Sequence, residues 1–248
     1  MSKHNALIVF GSGPGIGRNV AALFAERGFG KIILLSRDTN RMKEDAVFVQ
    51  KSSTKASVAT IPIDLADTQN VRRALGEIDR QLSGTPLEAV LFNAARVGAS
   101  KMFEFAPEQL EADLRISVVS LYTVAQWALP QLVKVAEQGS HSPAFLVTSG
   151  LLYKDPFPAL FSLATGKAAQ YNLVQSLHKE FELKGVHCAL IVVGGRVADE
   201  SEVTNARNVA EEAWKLYSQP KGKGDLDVVM LDPAYQEHIR KREQENRS

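Results

Sequence analysis

The 248-residue chain holds a single cysteine, Cys188, so no internal disulfide can staple it. Set inside the apolar run VHCALIVV, that thiol reads as a buried structural residue and not as a nucleophile. The five histidines, at 4, 141, 178, 187 and 238, include no close pair at ligand spacing, and no metal site is expected. Neither sign of charge dominates. Twenty-nine basic against twenty-eight acidic side chains leave +1, too little to steer the protein toward nucleic acid or an anionic membrane. No apolar run approaches the roughly eighteen residues needed to span a bilayer. The start, MSKHNALIVFGSG, enters a strand-like run within five residues, too soon for a secretory leader. A cytoplasmic protein without membrane or nucleic-acid partners is the expectation.

What is present is an ordinary core-forming balance, 45% hydrophobic and 23% charged. Short apolar runs, ALIVF at 6–10, KIILLS at 31–36, ASVATIPI at 56–63, LEAVLF at 87–92, AFLVTS at 144–149 and VHCALIVV at 186–193, alternate with longer segments of helical period. The connections are too long for hairpins, which predicts an α/β fold, a doubly wound parallel sheet with helices on both faces. One domain over 1–240 and a charged tail, KREQENRS at 241–248, are expected, with DVVML at 227–231 as a last strand. Helices are predicted from near Gly15 to Gly28, from Asp67 to Gly84, from Pro107 to Gln138 with Pro130 kinking it or ending it early, and from Leu160 to a cap at Gly185.

The first run ends in GSGPGIG at 11–17, followed by helical periodicity and a second strand. Glycines 11, 15 and 17 allow a tight turn, close approach to a pyrophosphate and close helix packing, while the helix N-terminus offers amides to phosphate. Gly11, Ser12, Gly15, Ile16 and Gly17 are therefore candidate dinucleotide ligands. At the end of the second strand, where an acid would favour NAD, stand Ser36 and Arg37, a neutral donor and a guanidinium suited to a 2′-phosphate. NADP(H) is the predicted cofactor. Asp38 follows immediately and tempers that preference as an acid that could accept from the ribose, although it could equally cap a helix near Thr39.

In order along the chain, GSGPGIG, PIDLAD with Asp64, LFNAA with Asn93, WALP at 127–130, LVTSG with Ser149 and TGKAA with Lys167 resemble the landmarks of the short-chain dehydrogenase/reductase family. The resemblance implies Asp64 near the adenine, Asn93 supporting the sheet, Lys167 on the nicotinamide ribose and the backbone around Val197 on the carboxamide. It also implies a serine, Ser149, that holds the substrate oxygen, and a homodimer or homotetramer built on the two long helices.

One landmark is missing. The family's proton-donating tyrosine, four residues before the lysine, is here Leu163, and an asparagine of the preceding helix corresponds to Ser117. Candidate replacements are Tyr153 in the loop after the serine strand, Tyr171 one turn beyond Lys167, or Lys167 acting through water or a ribose hydroxyl. The loop LLYKDPFPALF at 151–161 offers an apolar, aromatic wall, which points to an apolar small-molecule substrate. The reading is an NADP(H)-dependent oxidoreductase with Ser149, Lys167 and Tyr153 as catalytic candidates, in a tailoring step of small-molecule metabolism. Its rivals are a dinucleotide-binding sensor or scaffold without turnover, and a non-redox isomerase or cyclase.

Overall fold

The computed structural model describes residues 3–139, 143–237 and 240, and the tail at 241–248 lies outside the described residues. Seven strands form one sheet: β1 (Lys3–Phe10), β2 (Phe29–Ser36), β3 (Ser57–Pro62), β4 (Leu87–Phe92), β5 (Ala144–Gly150), β6 (His187–Gly194) and β7 (Asp227–Leu231). Their order is β3-β2-β1-β4-β5-β6-β7, and every neighbouring pair is parallel. All six expected strands are present, and DVVML adds the seventh at the edge.

Parallel neighbours need crossovers, and here helices supply them. The helices are α1 (Ile16–Glu26), α2 (Thr39–Ser52), α3 (Thr68–Leu82), α4 (Pro107–Leu114), α5 (Ser120–Gln138), α6 (Phe161–Phe181) and α7 (Ala206–Tyr217). Side chains alternate along each strand, so Ala6, Ile8 and Phe10 of β1 pack with α3, α5 and α6 while Leu7 and Val9 pack with α1 and α7 on the other face. Central strands covered on both faces are largely apolar, as LEAVLF of β4 is but for Glu88, whose buried carboxylate accepts from Asn5 and Tyr217. Local signals set the helix limits. Asp67 caps α3 by accepting from the amides of Gln69 and Asn70, and Gly185, at φ 78°, ends the segment after α6.

The long helix departs from expectation. Pro130 does not end it, since α5 continues to Gln138. The break in winding lies earlier, at a π-helical turn, Arg115–Val119, that joins α4 to α5. By length and hydropathy the continuous Pro107–Gln138 helix could cross a membrane, which the sequence alone did not suggest. Its apolar stripe, including Leu121, Val124, Leu129 and Leu132, instead packs into the core beside β4.

The π turn meets α6 at a point of very close approach. A Cβ at Gly166 would lie 2.8 Å from Ser117 Oγ but 3.5 Å from Ser117 Cβ. Gly166→Ala should therefore cost about 1–3 kcal/mol in urea unfolding, and Ser117→Ala in the same chain should restore most of that loss.

Candidate functional site

The crossovers on the two sides of the sheet diverge between β1 and β4, which opens a crevice at the strand carboxyl ends. The glycine turn fills one side of it. Gly11, at φ +92°, has its Cα against the backbone after β4, so a Cβ there would sit 2.8 Å from Ala94 N; one at Gly17 would sit 2.6 Å from Gly11 O. Packing thus requires those two glycines. Gly13 and Gly15 differ: a Cβ on either meets nothing within 4 Å. Gly15 is the N-cap of α1 and offers no side chain to its first-turn amides, so Ile16 and Gly17 begin a helix whose N-terminus faces open space.

Beside this turn is a cleft of about 240 Å³ lined by Gly11, Ser12, Ser36, Arg37, Asp64 and Asn93, with Arg41 and Arg96 in addition. Asp38 turns away from it into α2, where its Oδ1 accepts from the amides of Asn40 and Arg41 at 3.1 and 3.0 Å; these bonds hold its carboxyl below the usual range. Arg37 and Arg41 line the cleft together with the carboxylate of Asp64. Sequence reasoning missed Arg41, whose only signal was a basic residue in the first turn after the second strand. Buried Ser12 donates its hydroxyl to Oδ2 of Asp45 at 2.7 Å. Asp45 is fully buried on α2, and desolvation raises its pKa against the opposing pull of Ser12 and of Arg18, 3.9 Å away.

From the turn, a line of hydrogen bonds crosses the strand ends. Asn93 Nδ2 donates to Gly11 O at 2.9 Å, and Thr148 Oγ1 donates to Asn93 Oδ1 at 2.8 Å. Lys167 Nζ then donates to Thr148 O at 2.8 Å and to Gln170 Oε1 at 3.0 Å. Gln170 Nε2 closes the line on Ser117 O, in the π turn, at 2.7 Å. The glycine turn, the residue after β4, β5, α6 and the π turn are joined in this way. Burial alone brings Lys167 from 10.5 down to about 8. Next to Thr148, the buried Ser149 Oγ has no hydrogen-bond partner, an orphaned polar atom at the head of β5.

Tyr153 takes another course. It lies in the 3-10 turn after β5, Leu151–Tyr153, and its ring stacks flat on Tyr171, with centroids 4.0 Å apart and planes 7° from parallel. Tyr171 donates its hydroxyl to Asp227 at 2.6 Å; burial first, and then that carboxylate, push its pKa far up, so its phenol stays protonated. Leu163 is half-buried on α6. Val197, in the loop after β6, packs against the core on the α7 side. That loop is tied to the end of β7 by Asp232, which accepts from Ser201 and Thr204. At the other rim, Arg96 Nε donates to Asp113 at 2.6 Å while Ser162 Oγ donates to the second oxygen of that buried carboxylate at 2.6 Å. Nothing in the spacing of 96, 113 and 162 announced that cluster. Among the described residues no group of three or more His, Cys, Asp or Glu is placed to hold a metal.

The family model for short chain dehydrogenases matches residues 5–208, and the chain belongs to that family of oxidoreductases, whose members bind NAD(P)(H). Among curated proteins it is 26% identical over 193 residues to the uncharacterized oxidoreductase YghA of Escherichia coli K12, covering 77% of this chain and 62% of that one. It is also 25% identical over 222 residues to an uncharacterized oxidoreductase of Staphylococcus aureus N315, covering 86% and 91%. Among solved structures, acetoin dehydrogenase from Enterobacter cloacae superposes with a TM-score of 0.80 at 18% identity, over 95% of this chain and 96% of that one. An alcohol dehydrogenase from Thermococcus sibiricus complexed with 5-hydroxy-NADP gives 0.78 at 17% identity, over 94% and 98%. At such identities the superpositions establish the fold.

The glycine cradle, the uncapped helix and the arginine-lined cleft fit a dinucleotide. The buried lysine also has a measurable signature. Because the folded pKa lies below the unfolded value, the folded chain binds fewer protons between about pH 8 and 10.5, and stability rises as pH rises through that window. From pH 7 to pH 10 the wild-type protein should gain about 2 kcal/mol relative to Lys167→Met in denaturant unfolding.

Proposed function

We propose that the protein is an NADP(H)-dependent oxidoreductase acting on an apolar carbonyl or alcohol, a tailoring step in small-molecule metabolism. The observation that carries this reading is the pairing at the end of β5: an unpartnered buried Ser149 Oγ beside a lysine anchored one residue away, at Thr148 O. The cofactor, when bound, supplies or accepts hydride. Gly11, Ser12, Gly15, Ile16 and Gly17 would hold its pyrophosphate side, Asp64 its adenine side, Lys167 its nicotinamide ribose and the backbone at Val197 its carboxamide, with Asn93 supporting the sheet beneath it. Ser36, Arg37 and Arg41 would take the 2′-phosphate, two guanidiniums being the donors best matched to that dianion.

The substrate oxygen would lie against Ser149 Oγ, which donates to it, with Lys167 supplying or taking the proton near neutrality. We assign Tyr153 to the substrate wall, because its ring is held by Tyr171. Phe157, exposed on the same loop, extends that wall. A cytoplasmic location and a homodimer or homotetramer belong to the same proposal; Val119 and Tyr122, exposed on the outer side of the long helix, support pairing of copies there.

A second reading, a dinucleotide-binding protein without redox turnover, draws on Leu163 in place of a phenol. Titration of the protein with NADPH and NADH, followed by nicotinamide absorbance with a panel of apolar ketones, separates the two. Oxidation of NADPH supports the enzyme, and uptake without oxidation across the panel supports the binding protein. In the same titrations Arg37→Ala with Arg41→Ala should weaken NADPH at least tenfold and leave NADH nearly unchanged. Equal loss for both would reject the phosphate assignment.

A further inference from the structure

Lysine carries three donors as an ammonium and two as an amine. Lys167 already has two fixed acceptors, Thr148 O at 2.8 Å and Gln170 Oε1 at 3.0 Å. We infer that Gln170 is a positioning residue that makes ligand binding depend on the charge of Lys167: Thr148 and Gln170 occupy two donors, so only the ammonium form keeps an N–H for a bound nucleotide. This rests on the reading of Lys167 as a group that touches the cofactor.

The orientation of Gln170 is dictated by its partners. Its side chain is fully buried, and Ser117 O, as a carbonyl, can only accept, so Nε2 must face it and Oε1 must face Nζ. Lys167 and Gln170 are three apart on α6 and share a helix face, which keeps the bond local and stiff. Ser117 lies in the π turn, and a side chain set against a helix carbonyl is a recognised cause of such local unwinding. The long helix, through its irregular turn, therefore aims the amide that aims the lysine.

The charged and titratable groups on the elements around Lys167 leave its charge to these neutral partners. Asp113 on α4 is paired with Arg96, and Arg115 in the π turn with Glu111. Asp227 on β7 accepts from Tyr171, whose stacked neighbour is Tyr153, and the Cys188 thiol on β6 is pushed up by burial. Burial lowers Lys167, and the two groups that accept from its Nζ are the neutral oxygens of Thr148 and Gln170.

The test is the dissociation constant of NADPH, followed by its fluorescence from pH 6 to 9.5, for the wild type, Lys167→Met, Gln170→Glu and Gln170→Leu, each checked by circular dichroism and thermal melting. Affinity of the wild type relative to Lys167→Met should fall as pH rises through about 8. A carboxylate at 170, still an acceptor for Nζ, should raise that midpoint, whereas a leucine, by releasing one N–H of the amine for the nucleotide, should flatten the dependence on pH. The two variants act differently, so either one that folds decides the matter. Affinity reduced equally at every pH with the midpoint unmoved would mean that Gln170 only packs, and would overturn the inference. A wild type indistinguishable from Lys167→Met at all pH values would instead remove the contact between Lys167 and the nucleotide, and the inference with it.

Discussion

The line of hydrogen bonds from Gly11 to Ser117 is the constraint on which the site depends. It begins on a glycine whose backbone is pressed against the chain after β4, passes through Asn93 and Thr148, and reaches Lys167 and Gln170 on α6. The cradle at the amino end of α1 and the buried lysine on α6 are thereby held in one frame. Each member is buried or half-buried, so an interruption would leave an unpaired polar group in a low-dielectric interior, at a cost of about 1–3 kcal/mol. Such a chain keeps its geometry because every link is satisfied on both sides.

Within this frame Lys167 is positioned by a backbone carbonyl and an amide side chain, neither of which involves position 163. Tyr153 and Tyr171 are committed to each other and to Asp227, one helical turn away from Lys167. What remains at the head of β5 is a serine without a partner and a lysine with one donor to give.

Much of this was legible in the sequence. Runs such as LEAVLF and VHCALIVV could only be buried strands, GSGPGIG had to be a turn into a helix, and Asp67 and Gly185 sit where caps belong. The residues that went unseen act across long separations. Asp45 meets Ser12 33 residues away, Ser162 meets Asp113 49 residues away, and Gln170 meets Ser117 53 residues away. No local period carries such contacts. The π turn was hidden as well: Pro130 is the conspicuous helix breaker, whereas RISVV has nothing in its composition to mark unwinding. Asp38 was readable both as a ribose acceptor and as a cap, and its two amide bonds decide for the cap.

The central claim is that the glycine turn and the lysine belong to a single nucleotide site. Amide hydrogen exchange, with and without saturating NADPH, tests it directly. Segments 11–18 and 163–170, joined through Asn93 and Thr148, should both gain protection at the same nucleotide concentration. Protection confined to one of them, or to neither in well-folded protein, would contradict the account.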